Sequence, residues 1–189
     1  MTIGTTALLT VMLAGFAGAA TPEKVESIVR GIDTPRDTPI PFIEHRANRL
    51  LTEPLTVNGE FLFTSDGTLS KKIGKPFDES VTISAQRVSL QRGEKMRHLS
   101  LDRRPDIKAF YTGMQALIAG DVTALFESFE VAITENDNDW SLDLVPKEKK
   151  LRKFVARLVI SGKGARVLKV RTEQPGGDWQ EMSFDTAEY

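Results

Sequence analysis

From Pro41 onward the chain carries more one-faced apolar segments than its helices can cover, and this surplus constrains the fold most. Trp140, Leu142 and Leu144 alternate with Ser141 and Asp143, Leu168 and Val170 with Lys169 and Arg171, and Met182 and Phe184 with Glu181 and Ser183. Period-two alternation puts one apolar and one polar face on each strand, the signature of an antiparallel sheet with one wet side. The clusters TVNGEF, SDGT, QRGEK, NDND, SGKGAR and PGGD read as turns between such runs. Between Val81 and Gln91 the alternation changes phase, which predicts a β-bulge or sharp bend near Gln86–Arg87. At usual strand lengths this amounts to about nine or ten strands.

Helical signals are fewer. TPEKVESIVRGI reads as a short helix capped by Thr21, with Pro22 in its first turn, Val25, Ile28 and Val29 in one stripe, and Gly31 ending it. In RRPDIKAFYTGMQALIAG, the residues Ile107, Phe110, Tyr111, Met114, Leu117 and Ile118 follow helical spacing, with Pro105 at the start and Gly120 at the stop. GDVTALFESFEVAI then opens as a helix capped by Asp121. It changes to strand alternation at Phe129, Val131 and Ile133. Two or three short helices cannot cover so large an apolar face. The sheet must close on itself, form two layers, or enclose something. The reading adopted is a mainly β (α+β) chain: a curved antiparallel sheet, half closed, with helices as a partial lid over an apolar cavity.

Bulk composition narrows the function. Over 189 residues, Lys plus Arg total 25 against 26 Asp plus Glu, a net charge of −1 that argues against nucleic-acid binding. There is no Cys, so disulfides, thiol catalysis and Cys-ligated metal are excluded. His45 and His98 are the only histidines, and no HxH or HExxH spacing suggests a metal site. ENDND lacks most of a calcium loop, and GKGAR lacks the length and the Ser/Thr of a phosphate loop; both read as turns. No GxSxG elbow is present, and Asp78 and Glu79, as strand neighbours, face opposite ways. The chain reads as non-enzymatic, without a cofactor or catalytic residue. MTIGTTALLTVMLAGFAGAA has the short apolar run and small-residue end of a signal peptide, so residues 1–20 are expected to be removed on export. Residues 21–189 then form one domain, long enough to fold without disulfides.

PFIEHRANRLLTEPLTVNGEFLF (Pro41 to Phe63), KPFDESVTI (Lys75 to Ile83), LSLDRRPDIKAFYTGMQALIAGDVTALFESFEV (Leu99 to Val131) and WSLDLVPK (Trp140 to Lys147) occur in this order over nearly the whole mature chain. In order and spacing they resemble a divergent branch of the LolA-like periplasmic carriers of outer-membrane lipoproteins. The resemblance implies a half-open β-barrel closed by helices and a monomeric, periplasmic carrier that binds the acyl chains of a lipoprotein or another lipid. It also implies an inner-membrane transporter as donor, an outer-membrane receptor as acceptor, and no chemistry. The chain departs from the family where an Arg-Pro usually helps to hold the lid: here Ser65 and Asp66 stand. Either Arg46 takes over part of that role or the lid is governed differently.

On this reading Phe42, Phe61, Phe63, Val131, Ile133, Trp140, Leu142 and Leu144 line a lipid cavity, although each alone is equally suited to a dry core. Phe110, Tyr111, Met114, Leu117 and Ile118 form either a movable lid, for which Gly113 and Met114 suit an adaptable surface, or a fixed amphipathic helix. Arg46 pairs with Glu44, points outward, or ties down the lid. PKEKKLRK (Pro146 to Lys153) is a basic run, either a solvated loop or a docking surface for an acidic receptor or anionic head groups. The alternative function is an envelope sensor or interaction protein on the same scaffold.

Overall fold

The structure, a computed structural model, describes residues 22–74, 76–84 and 86–184. The expected signal segment 1–20 lies outside the described residues. The first helix, α1 (Pro22–Gly31), buries Val25 and Val29 and carries an Arg30–Glu26 pair at 2.6 Å, one turn apart.

Six strands follow in one antiparallel meander: β1 (Ile40–Ala47), β2 (Leu55–Phe63), β3 (Leu69–Ile73), β4 (Glu79–Ser84), β5 (Arg87–Arg92) and β6 (Lys95–Ser100). A 3₁₀ turn (Leu101–Arg103), α2 (Pro105–Ala119) and α3 (Val122–Ser128) lead to a second meander. This consists of β7 (Phe129–Asn136), β8 (Asp139–Pro146), β9 (Arg157–Lys163), β10 (Arg166–Glu173) and β11 (Trp179–Phe184), with the one-turn α4 (Lys149–Arg152) between β8 and β9. Pairing of β1 with β11 joins the meanders into one eleven-stranded sheet, ordered β6-β5-β4-β3-β2-β1-β11-β10-β9-β8-β7. The sheet stays open, with β6 and β7 as its edges, and α2 and α3 lie against its apolar face.

Local chemistry accounts for the helix ends. Gly120 closes α2 in the left-handed conformation (φ 69°), its amide donating back to the Ala116 and Leu117 carbonyls. Asp121 then caps α3 by accepting from the Ala124 amide at 2.9 Å. The change from helix to strand comes at Phe129, as the alternation predicts.

One turn reading needs correction and one bend is made specific. TVNGEF is not a turn: β2 runs straight through Gly59, which pairs with Phe42 across the ladder. A Cβ at Gly59 would stand 2.7 Å from the Phe42 ring and 2.1 Å from the Lys72 carbonyl oxygen. The glycine gives the ring its seat. Gly162 does the same for Trp140 on β9, a Cβ there falling 2.3 Å from the indole. Of the two forms expected for the phase break near Gln86–Arg87, the structure has the sharp bend and not the bulge. It is a hairpin: Ser84 pairs with Arg87, and β4 and β5 are separate strands. The irregularity among the described strands lies instead on β10, between Val167 and Lys169.

Candidate functional site

The two halves of the apolar face are filled differently. Over β7–β9 the helices seat directly on the sheet. A Cβ at Gly113 of α2 would lie 2.8 Å from Leu158, with Phe129 at 3.6 Å and Leu144 at 3.7 Å, so the missing side chain sets how closely the helix approaches. Leu125, Phe129, Leu142, Leu144, Leu158 and Ile160 are fully buried there in a solid core. The expectation that Gly113 serves an adaptable surface is thereby corrected; the residue is a close-packing contact.

Over β2–β5 the helices do not seat so closely, and a cavity of about 270 Å³ remains. Phe61, Leu69, Ile73, Val81, Ile83 and Leu90 wall it from the first meander, and Val170 and Met182 from the second. Ile107 and Phe110 of α2, with Phe154 and Val155 after α4, form its roof. Phe61 meets Phe110 edge to face at 6.4 Å, so sheet and helix touch across the cavity's inner end.

Of the eight residues expected to line a cavity, Phe61 lines this one. Phe42, Phe63, Ile133, Trp140, Leu142 and Leu144 belong to the buried core, and Val131 is half buried against it. Of the lid residues, Phe110 lines the cavity, while Met114 lines a separate small pocket of about 30 Å³ beside Ile40 and Phe184. Leu117 and Ile118 are buried in the core. The strand residues Leu69, Ile73, Ile83 and Leu90 were not singled out from sequence. For β3 the reason is plain: Lys71 occupies the inward position between Leu69 and Ile73 and erases the apolar alternation.

Lys71 belongs to a polar wall of the same cavity. Its Nζ is 2.6 Å from Glu44 Oε2, and the Glu44 side chain is fully buried. Arg46, two residues along β1 on the same face, reaches Glu44 Oε2 at 3.2 Å and Glu79 Oε2 on β4 at 3.5 Å. Glu79 in turn meets Arg92 on β5 at 3.3 Å. Arg46, Lys71 and Glu79 all line the cavity. Burial holds the Lys71 ammonium below its ordinary pKa, against the opposing pull of Glu44, and the ammonium also lies 5.4 Å from the Phe42 ring centre. Two buried atoms of this wall, Glu44 Oε1 and Arg46 Nε, have no hydrogen-bond partner among the described residues. Across the opening, Arg104 and Asp106 at the start of α2 form a two-bond pair at 3.1 and 2.7 Å.

Arg46 therefore pairs with carboxylates of the sheet, and the hydrogen bonds that hold α2 lie elsewhere. Tyr111 Oη and Gln115 Nε2 both donate to the Gly67 carbonyl, at 3.2 and 2.6 Å, and Gln115 Nε2 also donates to Tyr111 Oη at 2.8 Å. Gly67 sits in the β2–β3 turn at φ +84°, a conformation suited to glycine. The two residues of the family departure build this turn. Asp66 accepts from the Thr64 hydroxyl and from the Thr68 amide at 3.1 Å, and Asp37 accepts from the Ser65 hydroxyl and from the Ser65 amide at 3.1 Å. These bonds hold the carboxyls of Asp66 and Asp37 below the ordinary carboxylate range. The basic run becomes the exposed turn α4 and its flanks, with Arg152 paired to Glu130 at 2.6 Å.

A family model described as "Outer membrane lipoprotein carrier protein LolA-like" matches residues 17–188. No curated protein matches the chain. Among solved structures, the chain is similar to a LolA superfamily protein from Nitrosomonas europaea at 10% identity, covering 88% of this chain and 92% of that one with a TM-score of 0.44. It is also similar to a domain described as outer membrane lipoprotein-sorting from Vibrio parahaemolyticus, at 12% identity, 89% and 95% coverage and a TM-score of 0.46. A third, MucB in complex with MucA(peri), shares 9% identity over 86% of this chain and 52% of that one, with a TM-score of 0.32.

Proposed function

The chain belongs to the family of LolA-like outer membrane lipoprotein carrier proteins, and from that premise we propose that it is a periplasmic, non-enzymatic carrier whose cavity holds acyl chains. Residues 21–189 are the lipid-binding domain, delivered to the periplasm by the segment before it. The cargo is a lipoprotein or another acylated lipid, taken from an inner-membrane donor and passed toward the outer membrane.

The observation that carries this reading is the uneven filling of the apolar face: closed core over β7–β9, open space over β2–β5. At about 270 Å³ the space lies just below the roughly 300–1,000 Å³ usual for small-molecule sites. A longer chain is accommodated by outward movement of the roof at Ile107, Phe110 and Phe154, while Tyr111 and Gln115 keep α2 bonded to the β2–β3 turn. Each methylene transferred from water contributes roughly 0.8 kcal/mol, so a dozen give on the order of 10 kcal/mol before the costs of association. Burial of this kind has no direction, so the apolar wall alone admits many acyl chains.

The test is a titration with a fluorescent fatty-acid analogue. Phe110→Ser with Met182→Ser, on opposite sides of the cavity, should weaken binding at least tenfold, since both substitutions remove apolar contact with the chain. The distant pair Trp140→Phe with Leu142→Met, in the closed core, should leave binding nearly unchanged. Equal effects of the two pairs would contradict the assignment of the cavity.

A further inference from the structure

The polar wall has a charge balance that the apolar cavity does not explain. Glu44 and Lys71 form a tight pair at 2.6 Å, and Glu79 has Arg92 at 3.3 Å, a side chain 74% exposed at the rim. Arg104 is matched by Asp106. Pairing these off leaves Arg46 as a surplus cation: three cations, Arg46, Lys71 and Arg92, stand against two carboxylates, Glu44 and Glu79. Its guanidinium carries five donors. Two reach carboxylates that already have nearer or more exposed cations, at 3.2 and 3.5 Å, both long for charge-assisted bonds. A third, Nε, is buried with no partner among the described residues. An under-bonded guanidinium on the wall of a low-dielectric cavity favours an anion, and its planar fork suits a carboxylate or phosphate.

Resting on the carrier reading above, we infer that the cargo is an anionic amphiphile whose carboxylate or phosphate is held by Arg46 while its acyl chain lies along the apolar wall. The strand register sets the direction. Along β3 and β4, Ile73 pairs with Glu79 at the polar end and Leu69 with Ile83 at the apolar end. Four residues at about 3.3 Å each separate the two by roughly 13 Å. The head group sits beside Arg46 near the exposed Arg92, and the chain runs inward past Ile73 to Leu69, Phe61 and Phe110. On arrival the anion replaces Glu79 at Arg46, and Glu79 keeps Arg92. Lys71 keeps Glu44 neutralised throughout.

Binding of three monomeric probes with the same chain tests this: oleate, monooleoylglycerol 3-phosphate and neutral monooleoylglycerol, each against wild type and Arg46→Gln. In wild type at least one anionic probe should bind roughly tenfold or more tightly than the neutral one. A preference for oleate alone assigns a carboxylate, and a preference for the phosphate alone assigns a phosphate. In Arg46→Gln the anionic-to-neutral ratio should fall to about one, and Arg46→Lys should restore part of it. Equal wild-type affinity for all three probes overturns the inference, as does a ratio unchanged in Arg46→Gln. If Arg46→Gln fails to fold, the wild-type ratio and its Arg46→Lys value still decide. Failure of all three probes to bind is a separate outcome that overturns the carrier reading itself.

Discussion

Replacing Lys71 with Met isolates the energetics of the polar wall. The substitution keeps an unbranched chain of similar length on β3 but removes the ammonium 2.6 Å from Glu44. Glu44 is fully buried, with Oε1 already unpartnered, so loss of Lys71 leaves its charge to Arg46 alone at 3.2 Å. Breaking a buried pair by removing one partner costs about 3–5 kcal/mol, and the remaining Arg46 contact argues for the lower end, about 3 kcal/mol. At about 2–4 °C per kcal/mol for a chain of this size, Tm should fall by roughly 6–12 °C. Removing both charges is a different perturbation. Glu44→Gln with Lys71→Met removes one charge of each sign, so no buried carboxylate is left without its cation and Arg46 stays 3.5 Å from Glu79 as in wild type. The double variant should therefore recover most of the loss, with a coupling energy of about 2 kcal/mol in urea unfolding at constant m-value. A Lys71→Met variant within about 1 kcal/mol of wild type, or a double variant no better than the single one, would refute this account of the wall.

Further predictions concern the hold on α2 and the turn beneath it. Tyr111→Phe with Gln115→Leu removes all three bonds around the Gly67 carbonyl, worth about 1 kcal/mol each at most. Amide exchange over Asp106–Ala119 should accelerate roughly tenfold or more, whereas exchange rates equal to wild type would remove this contact from the hold on α2. Asp66 has a depressed carboxyl pKa, caused first by the Thr64 hydroxyl and then by Thr68. A folded pKa below the ordinary 3.8 means that its contribution is complete above that value and is lost as pH falls through the depressed one. Wild type should thus lose stability more steeply than Asp66→Asn below about pH 4 in acid titrations followed by circular dichroism; parallel curves would count against it.

Much of the fold was legible because its elements obey local rules. α2 and α3 follow helical spacing and end in Gly120 and Asp121, and β8 alternates without interruption from Trp140 to Leu144. What misled were residues whose role depends on a partner across the sheet. Gly59 looks like turn chemistry until the Phe42 ring that occupies its place is known. Lys71 hides an inward-facing strand because its justification, Glu44, lies two strands away on β1. The cavity's position was illegible for a related reason. Apolar alternation marks the buried face, but open space depends on where a helix lands, and Gly113 seats α2 on Leu158, Leu144 and Phe129. Trp140, Leu142 and Leu144 therefore pack a core, whereas Leu69, Ile83 and Leu90, no more apolar by pattern, face the cavity. Arg46 was singled out in advance, but its partner Glu79 and its surplus charge emerge only from the folded sheet.

The most direct test of the central claim is native mass spectrometry of the protein, gently purified from its own host. The account predicts a co-purifying mass adduct, extractable into organic solvent, whose tandem spectrum contains an acyl chain. A clean apo mass that takes up no added lipid would contradict it: the space over β2–β5 would then hold no cargo.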